Sequence, residues 1–286
     1  MQSRRLLVYI VVVYCLVNIV YMQYEGYQAL RFERLDGDVL KITIAHPASA
    51  MNAVDDLLHR EFTRLFRELK QENDARAALL TGSGRAFSAG GDFAWFPTLQ
   101  DSASLEQLRR DAKQLIWDLL EVEIPIVCAM NGAAAGLGAS IALLCDIIFM
   151  AEDAVVLDPH VKVGIVAGDG GTTIWPMAVG PALAKQYLFT GDPVPAAEAH
   201  RIGLVNFVTP PAELDAQALA FARRLAAGAP LAIQYTKQAV NKLIKDNLNI
   251  AFDFATALEI VTFKSDDHRE ALAALQDRRK PVFRGH

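Results

Sequence analysis

Over residues 30–45, apolar and β-branched positions flank the turn signal Asp36-Gly37-Asp38, and the pattern predicts a hairpin of two strands. Leu57, Leu58, Phe62, Leu65, Phe66 and Leu69 then recur at helical spacing, which predicts a helix with one apolar face. Residues 77–81 read as a short apolar strand closed by Gly82-Ser83-Gly84. Leu105, Leu108, Leu115, Ile116, Leu119 and Leu120 mark a further helix that ends before Pro125. A strand follows at residues 126–130, turned by Asn131-Gly132, and then a buried helix at 137–144. Residues 147–151 and 155–157 are strands again, so β and α alternate as a parallel sheet requires, and a layered α/β fold is expected. Beyond Pro230 the pattern is helical only, with a long helix from about residue 230 to 245 and another ending near Leu275. No internal repeat of fixed period is present, which excludes a solenoid or propeller.

Composition supports a packed core: 52% of the 286 residues are hydrophobic and 21% charged. No Pro/Gly/Ser-rich linker interrupts the chain, so we expect one main α/β core over residues 22–229 with a helical C-terminal region over 230–286. A net charge of -5 leaves no basic surface for wrapping nucleic acid. Cys15, Cys128 and Cys145 are scattered through apolar runs, which points to buried thiols in a reducing, cytoplasmic compartment. No CxxC or Cys/His cluster suggests a metal. The compositional anomaly is the N-terminus, where Arg4 and Arg5 precede an apolar run over residues 6–22 broken only by Asn18. That run is short of the about 20 residues a membrane span needs, and no small-x-small cleavage pattern follows it. The favoured reading is an extension ahead of a natural start at Met22; membrane contact is expected only if residues 1–21 are a true anchor.

Two segments place glycines and small residues at strand-to-helix turns: Gly84-Arg85-Ala86-Phe87-Ser88-Ala89-Gly90-Gly91-Asp92-Phe93 and Asn131-Gly132-Ala133-Ala134-Ala135-Gly136-Leu137-Gly138-Ala139-Ser140. Residues without bulk let a ligand reach the backbone, and a helix starting just beyond presents free N–H groups and a positive dipole end. An anion or a developing oxyanion is favoured there. Neither segment is a Walker loop, and tight sheet–helix packing is the competing explanation.

These two segments, with Pro125-Ile126-Val127 and Cys145-Asp146-Ile147-Ile148 around the second, resemble the enoyl-CoA hydratase/isomerase family, the crotonase superfamily. So do Pro47-Ala48-Ser49-Ala50-Met51-Asn52-Ala53, Thr190-Gly191-Asp192, Gly203-Leu204-Val205 and Arg279-Lys280-Pro281-Val282-Phe283. The likeness runs from about Leu30 to the C-terminus. It implies a spiral of βαβ units, a trimer or dimer of trimers bound through C-terminal helices, and an acyl-CoA substrate with no tightly held cofactor. Carried over by position, it implies the backbone amides of Ala89 and Leu137 as the two oxyanion donors. Ala50, Ala53, Gly91 and Asp92 would line the coenzyme A channel, with Lys280 and Phe283 reaching the nucleotide; Asp92 as a cap and Lys280 as a solvated charge are the plain alternatives. Phe93, Trp95 and Phe96 are acyl-pocket or core aromatics.

Hydratases of this family use two glutamates, and aligned without gaps those positions are Ser140 and His160. The run Leu157-Asp158-Pro159-His160, with Gly164-Ile165-Val166-Ala167-Gly168-Asp169-Gly170-Gly171 and Trp175-Pro176, is instead similar to the oxocamphor-type β-diketone hydrolases. That resemblance implies His160 and Asp169 acting together on water, with imidazole near pKa 6.5 taking the proton. Asp169 as a helix cap and His160 as a loop residue remain the alternatives. The expected function is therefore hydration of, or proton transfer in, an acyl-CoA through a stabilised enolate, using His160 and Asp169 in place of two glutamates. C–C hydrolysis of a β-diketone or β-keto-CoA and non-catalytic acyl-CoA binding are the rivals.

Overall fold

The hairpin expected at residues 30–45 is present as β1 (Leu30–Leu35) and β2 (Val39–Ile44), with Leu30 opposite Ile44 and Leu35 opposite Val39. It opens a computed structural model that describes residues 24–99 and 101–286, so the apolar stretch at residues 1–21 and Cys15 lie outside the described residues. From β2 onward every pairing in this sheet is parallel. β2 lies beside β3 (Ala77–Gly82), then come β5 (Ile126–Met130), β7 (Ile147–Ala151) and β10 (Phe207–Thr209), in the order β1-β2-β3-β5-β7-β10. β3 and β5 carry apolar residues on both faces because both faces are covered, which is the pattern of a buried parallel strand.

A second, smaller sheet has the order β4-β6-β8-β9, formed by β4 (Ala86–Ser88), β6 (Ala133–Ala135), β8 (Val155–Leu157) and β9 (Val194–Pro195). β3 passes into β4, β5 into β6 and β7 into β8 through turns of a few residues, and β4, β6 and β8 run parallel. Repeating that step with a returning helix each time makes the spiral of βαβ units. β4, β6, β9 and β10 are not predicted by the pattern, since two or three residues are too few to show a period of two; β8 is as short but is marked by the apolar run Val155-Val156-Leu157.

The helix expected from Leu57 to Leu69 is α1 (Asp56–Leu69). Asp55 caps it by accepting from the Leu58 N–H at 3.0 Å, and Leu58, Phe62, Leu65, Phe66 and Leu69 fill the core. The remaining helices are α2 (Ser102–Glu121), α3 (Leu137–Leu143), α4 (Gly171–Thr190), α5 (Ala196–Arg201), α6 (Leu214–Ala226), α7 (Pro230–Phe263) and α8 (Asp266–Gln276). The long C-terminal helix does not end near residue 245: α7 continues without a break for 34 residues. Lys242, Lys245, Asp246, Asn247 and Asn249 give its middle the look of a solvated stop. Beyond them Leu248, Phe252, Ala255 and Glu259 resume a buried face, and the Trp117 and Phe252 rings meet at 5.4 Å. Lys237 pins the first half of α7 by donating to the Ile124 carbonyl at 2.9 Å and pairing with Asp146 at 2.7 Å. Among the described residues, no helix is long and apolar enough to cross a membrane.

Asn52 ties the segment before α1 to β4. It adopts φ of 50°, a left-handed conformation that asparagine tolerates, and is 1% exposed. Its amide nitrogen lies 3.0, 3.0 and 3.2 Å from the carbonyls of Ser83, Ala86 and Phe87, and its side-chain oxygen accepts from the His46 N–H at 3.1 Å. Removing it leaves buried carbonyls without donors, so Asn52→Ala is expected to lower unfolding stability by about 2–3 kcal/mol, read as a shift in the urea midpoint at unchanged m-value.

Candidate active site

Three strands of the small sheet end side by side, and each delivers one piece of the site. β4 leads into Ala89-Gly90-Gly91, β6 into Gly136 and the start of α3, and β8 into Asp158-Pro159-His160. This is the carboxyl end of parallel strands, where open α/β sheets place their ligands. Gly91 pairs with Val54 in a bridge whose bonds use the Gly90 carbonyl and the Asp92 N–H, which leaves the Gly91 N–H pointing away from Val54. Leu137 opens α3, where the first-turn N–H groups lack intrahelical acceptors. Among the described residues neither amide has a protein acceptor, and both residues line one cavity of about 580 Å3 of empty space.

The amide of Ala89 does not share that freedom. It donates to the Met51 carbonyl at 3.0 Å, because residues 89–92 run alongside the segment before α1. The first open donor is therefore two residues further along, at Gly91, a position the resemblance assigned to the coenzyme A channel. Ala89 itself lies against a smaller adjoining cavity with Gly90, Gly91, Gly136 and His160.

His160 lines the same cavity, held between two carboxylates. Asp158 Oδ1 lies 2.5 Å from Nδ1, and Asp169 Oδ2 lies 3.4 Å from Nε2. Gly136 makes room for the ring: its φ is 49°, and a Cβ there would come within 3.2 Å of His160 Cε1. Burial works against a charged ring, but the neighbouring charges of Asp158 and Asp169 outweigh it and hold the His160 pKa well above its ordinary 6.5. The two carboxylates thus favour the charged form of the ring, where the sequence expectation took an imidazole near its ordinary pKa. The partner that orients it through Nδ1 is Asp158. That residue lay in the quoted run, but its pairing became visible only once Pro159 turned it back toward the ring.

Asp169 caps no helix. α4 begins after Gly170 without a side-chain cap, and Asp169 accepts instead from the Ser140 hydroxyl at 3.4 Å while facing His160. Ser140 is thus tied to the acid cluster as well as packed in α3. Asp158, His160 and Asp169 offer ligand atoms within 4.8 Å of one another, a composition able to hold a metal ion. Their arrangement favours the ion-paired triad, since the carboxylates address opposite nitrogens of one ring.

Glu259 is the site residue with no sequence signal. It projects from α7, is 8% exposed, and packs so closely on Gly168 that a Cβ there would lie 2.5 Å from its Oε2. Burial, reinforced by the charge of Asp169, raises its pKa from 4.5 to about 8. Only a fold that brings α7 against the 165–169 segment reveals it, and the bond from the Val166 N–H to Thr262 Oγ1 at 3.1 Å fastens the two together. Phe96 lies over Gly91 and meets Phe263 edge-on at 5.8 Å, while Trp95 sits 5.6 Å from His59, so both line the cavity; Phe93 is 48% exposed.

The residues expected along a coenzyme A path are not all gathered. Ala53 donates to Ser49 Oγ at 2.9 Å, and the Ala50 carbonyl faces Gly84. Asp92 Oδ1 caps a local turn by accepting from the Ala94 N–H at 2.9 Å. Lys280 and Phe283 lie on a C-terminal tail that folds back on α8, where Glu270 accepts from the Val282 N–H and Asp267 from the Arg284 N–H. Both tail residues are exposed, and neither lines a described cavity.

The sequence profile of the enoyl-CoA hydratase/isomerase family matches residues 34–286. A short-chain-enoyl-CoA hydratase of Clostridium acetobutylicum is 32% identical over 248 residues, covering 86% of this chain and 94% of that protein. Among solved structures, an enoyl-CoA hydratase/isomerase from Mycobacterium paratuberculosis superposes with a TM-score of 0.82 at 36% identity, covering 87% of this chain and 99% of that one. A β-diketone hydrolase from the cyanobacterium Anabaena sp. PCC 7120, bound to (S)-3-oxocyclohexyl acetic acid, superposes with a TM-score of 0.79 at 32% identity, covering 85% and 98%. With a match across nearly its whole length, the chain belongs to the enoyl-CoA hydratase/isomerase family. It is an enzyme of that family, in which coenzyme A thioesters are the common substrate.

A raised carboxyl pKa has a stability consequence. Between pH 4.5 and about 8 the folded protein keeps a proton on Glu259 that the unfolded chain has released, so this group's contribution to stability is lost as pH rises through that window. Glu259→Gln keeps the shape without the titration. It is expected to melt several degrees above the wild type at pH 8, with the gap closing toward pH 4.5, as read by calorimetry.

Proposed function

We propose that this enzyme adds water to a carbonyl of a 1,3-dicarbonyl compound and breaks the adjoining C–C bond. The observation that carries this reading is His160 held between Asp158 and Asp169, in the cavity that the open amides of Gly91 and Leu137 also line. The amides of Gly91 and Leu137 hold the oxygen of the carbonyl that becomes the enolate, where preorganised donors are worth about 3–4 kcal/mol each. The His160 Nε2–H polarises the carbonyl under attack. Asp169 takes one proton from water as the hydroxide forms its bond to that carbon. The C–C bond then breaks, its electron pair passes to the carbon between the carbonyls, and Glu259, neutral below about pH 8, supplies the proton. The proton on Asp169 replaces the one Glu259 gave, and the attacked carbonyl leaves as a carboxylic acid that releases the second proton of the water to solvent. The likeness to the Anabaena β-diketone hydrolase supports the same chemistry.

The second reading is hydration of an enoyl-CoA, favoured by the relatives named as hydratases and by the shared amide pair. It requires a second carboxylate where Ser140 stands, or Glu259 in its place. Free thiols at Cys128 and Cys145 support a reducing, cytoplasmic location. Assembly through α7 into a trimer or a dimer of trimers is supported by Leu243, Ile250, Phe254 and Val261, which form one exposed apolar row on that helix.

Incubation with a cyclic β-diketone and with crotonyl-CoA separates the readings: ring opening to a keto acid is expected, and loss of enone absorbance without ring opening would replace this proposal with hydration. His160→Ala and Asp169→Asn are each expected to lower kcat by at least 100-fold with the fold intact. The pH profile should fall on its alkaline side near pH 8 as Glu259 loses its proton, and that limb should vanish in Glu259→Gln.

A further inference from the structure

Asp158, His160 and Asp169 all sit on residues 158–170, a stretch between β8 and α4 that is irregular apart from the short 3-10 turn His160–Val163. A segment with few main-chain bonds of its own opens easily unless it is held from outside. Within it, the Lys162 N–H donates to the Pro159 carbonyl at 2.9 Å and the Ile165 N–H to the His160 carbonyl at 3.1 Å. Val163, which ends the turn, is buried, and among the described residues its carbonyl receives no main-chain N–H.

The donor comes from α8. His268 is 3% exposed, and its Nδ1 lies 2.7 Å from the Val163 carbonyl oxygen. A carbonyl only accepts, so this nitrogen carries the proton. Gly164 lets the two main chains come this close: its φ is 70°, and a Cβ there would lie 3.0 Å from the Asp267 carbonyl carbon and from the His268 nitrogen. Val163, Ile165 and Ala271 pack together beside the contact. The His268 ring is itself fixed, since Phe263 meets it edge-on at 5.1 Å and Ser265 Oγ accepts from its main-chain N–H at 3.1 Å. It also lies 6.0 Å from Phe96, the ring that rests on Gly91. His268 thus meets both the turn that carries His160 and the ring beside the open Gly91 amide, yet it lines neither of the cavities that His160 lines.

We infer that His268 is a positioning residue, whose bond to the Val163 carbonyl sets where His160 stands relative to Asp169 and the Gly91 amide. The inference deepens the proposed chemistry and rests on that reading for the part His160 plays. A displacement of about 1 Å at a reacting group costs up to about 100-fold in rate, so one bond at this distance from the substrate is enough to register in turnover.

Two variants test it. His268→Leu fills the space without an N–H, and His268→Asn carries an N–H at the same remove from the main chain as Nδ1. With 2,2-dimethylcyclohexane-1,3-dione, a diketone that has no proton to lose between its carbonyls, His268→Leu is expected to lower kcat at least tenfold with KM within twofold of wild type. His268→Asn should return kcat to within threefold. Amide exchange reads the same bond without turnover: the Gly164 and Ile165 N–H groups should exchange at least tenfold faster in His268→Leu, beyond any change in β5 and β7, and near the wild-type rate in His268→Asn. An unaltered kcat in His268→Leu, an effect on KM alone, equal losses in both variants, or unchanged exchange at Gly164 and Ile165 overturns the positioning role. If the wild type opens no β-diketone ring, the C–C cleavage reading falls, and the exchange comparison alone decides whether His268 holds the turn.

Discussion

The site depends on one constraint of the main chain: neighbouring strands must stop at the same level and leave amides with nothing inside the protein to bind. β4 and β6 meet it because each follows a large-sheet strand after a short turn, so their ends fall together. An unsatisfied N–H normally costs stability, and in the proposed chemistry a ligand oxygen supplies the acceptor that these two lack. Donors fixed in place before the ligand arrives have no reorganisation left to make when negative charge develops.

Electrostatics then decides what those side chains do. Three acids and one histidine share a small volume at the end of the cavity, and they cannot all take their ordinary ionisation states. His160 resolves part of the conflict by staying charged between Asp158 and Asp169. Glu259, deeper against Gly168, resolves the rest by keeping its proton. A histidine drawn toward its charged form and a glutamate drawn toward its neutral form thus arise from one cluster.

The fold was legible in the hairpin, α1, α2 and the strands at 126–130, 147–151 and 155–157, whereas the helices between residues 171 and 226 were not predicted. It was illegible in β4, β6, β9 and β10, where neighbouring strands rather than local pattern set the conformation. For the site, small residues marked both turns, and Leu137, His160 and Asp169 line the same cavity. The open amide at the first turn was misplaced by two residues, because which N–H stays free depends on Met51 and Val54, contacts made across 37 or 38 positions of sequence. Glu259 was missed for the same reason on a longer scale: on its own helix it is a lone acid between Leu258 and Ile260, and only its position against Gly168 places it in the site.

Helix α7 is one unbroken rod of 34 residues, with Glu259 on its inner face and Leu243, Ile250, Phe254 and Val261 on its outer one. A helix transmits a sideways push along its axis with little loss, since bending it strains every hydrogen bond of a turn. The carboxyl of Glu259 therefore sits on the same rod whose far side meets the outside world, so one wall of the cavity and the exposed apolar ridge are parts of a single continuous element.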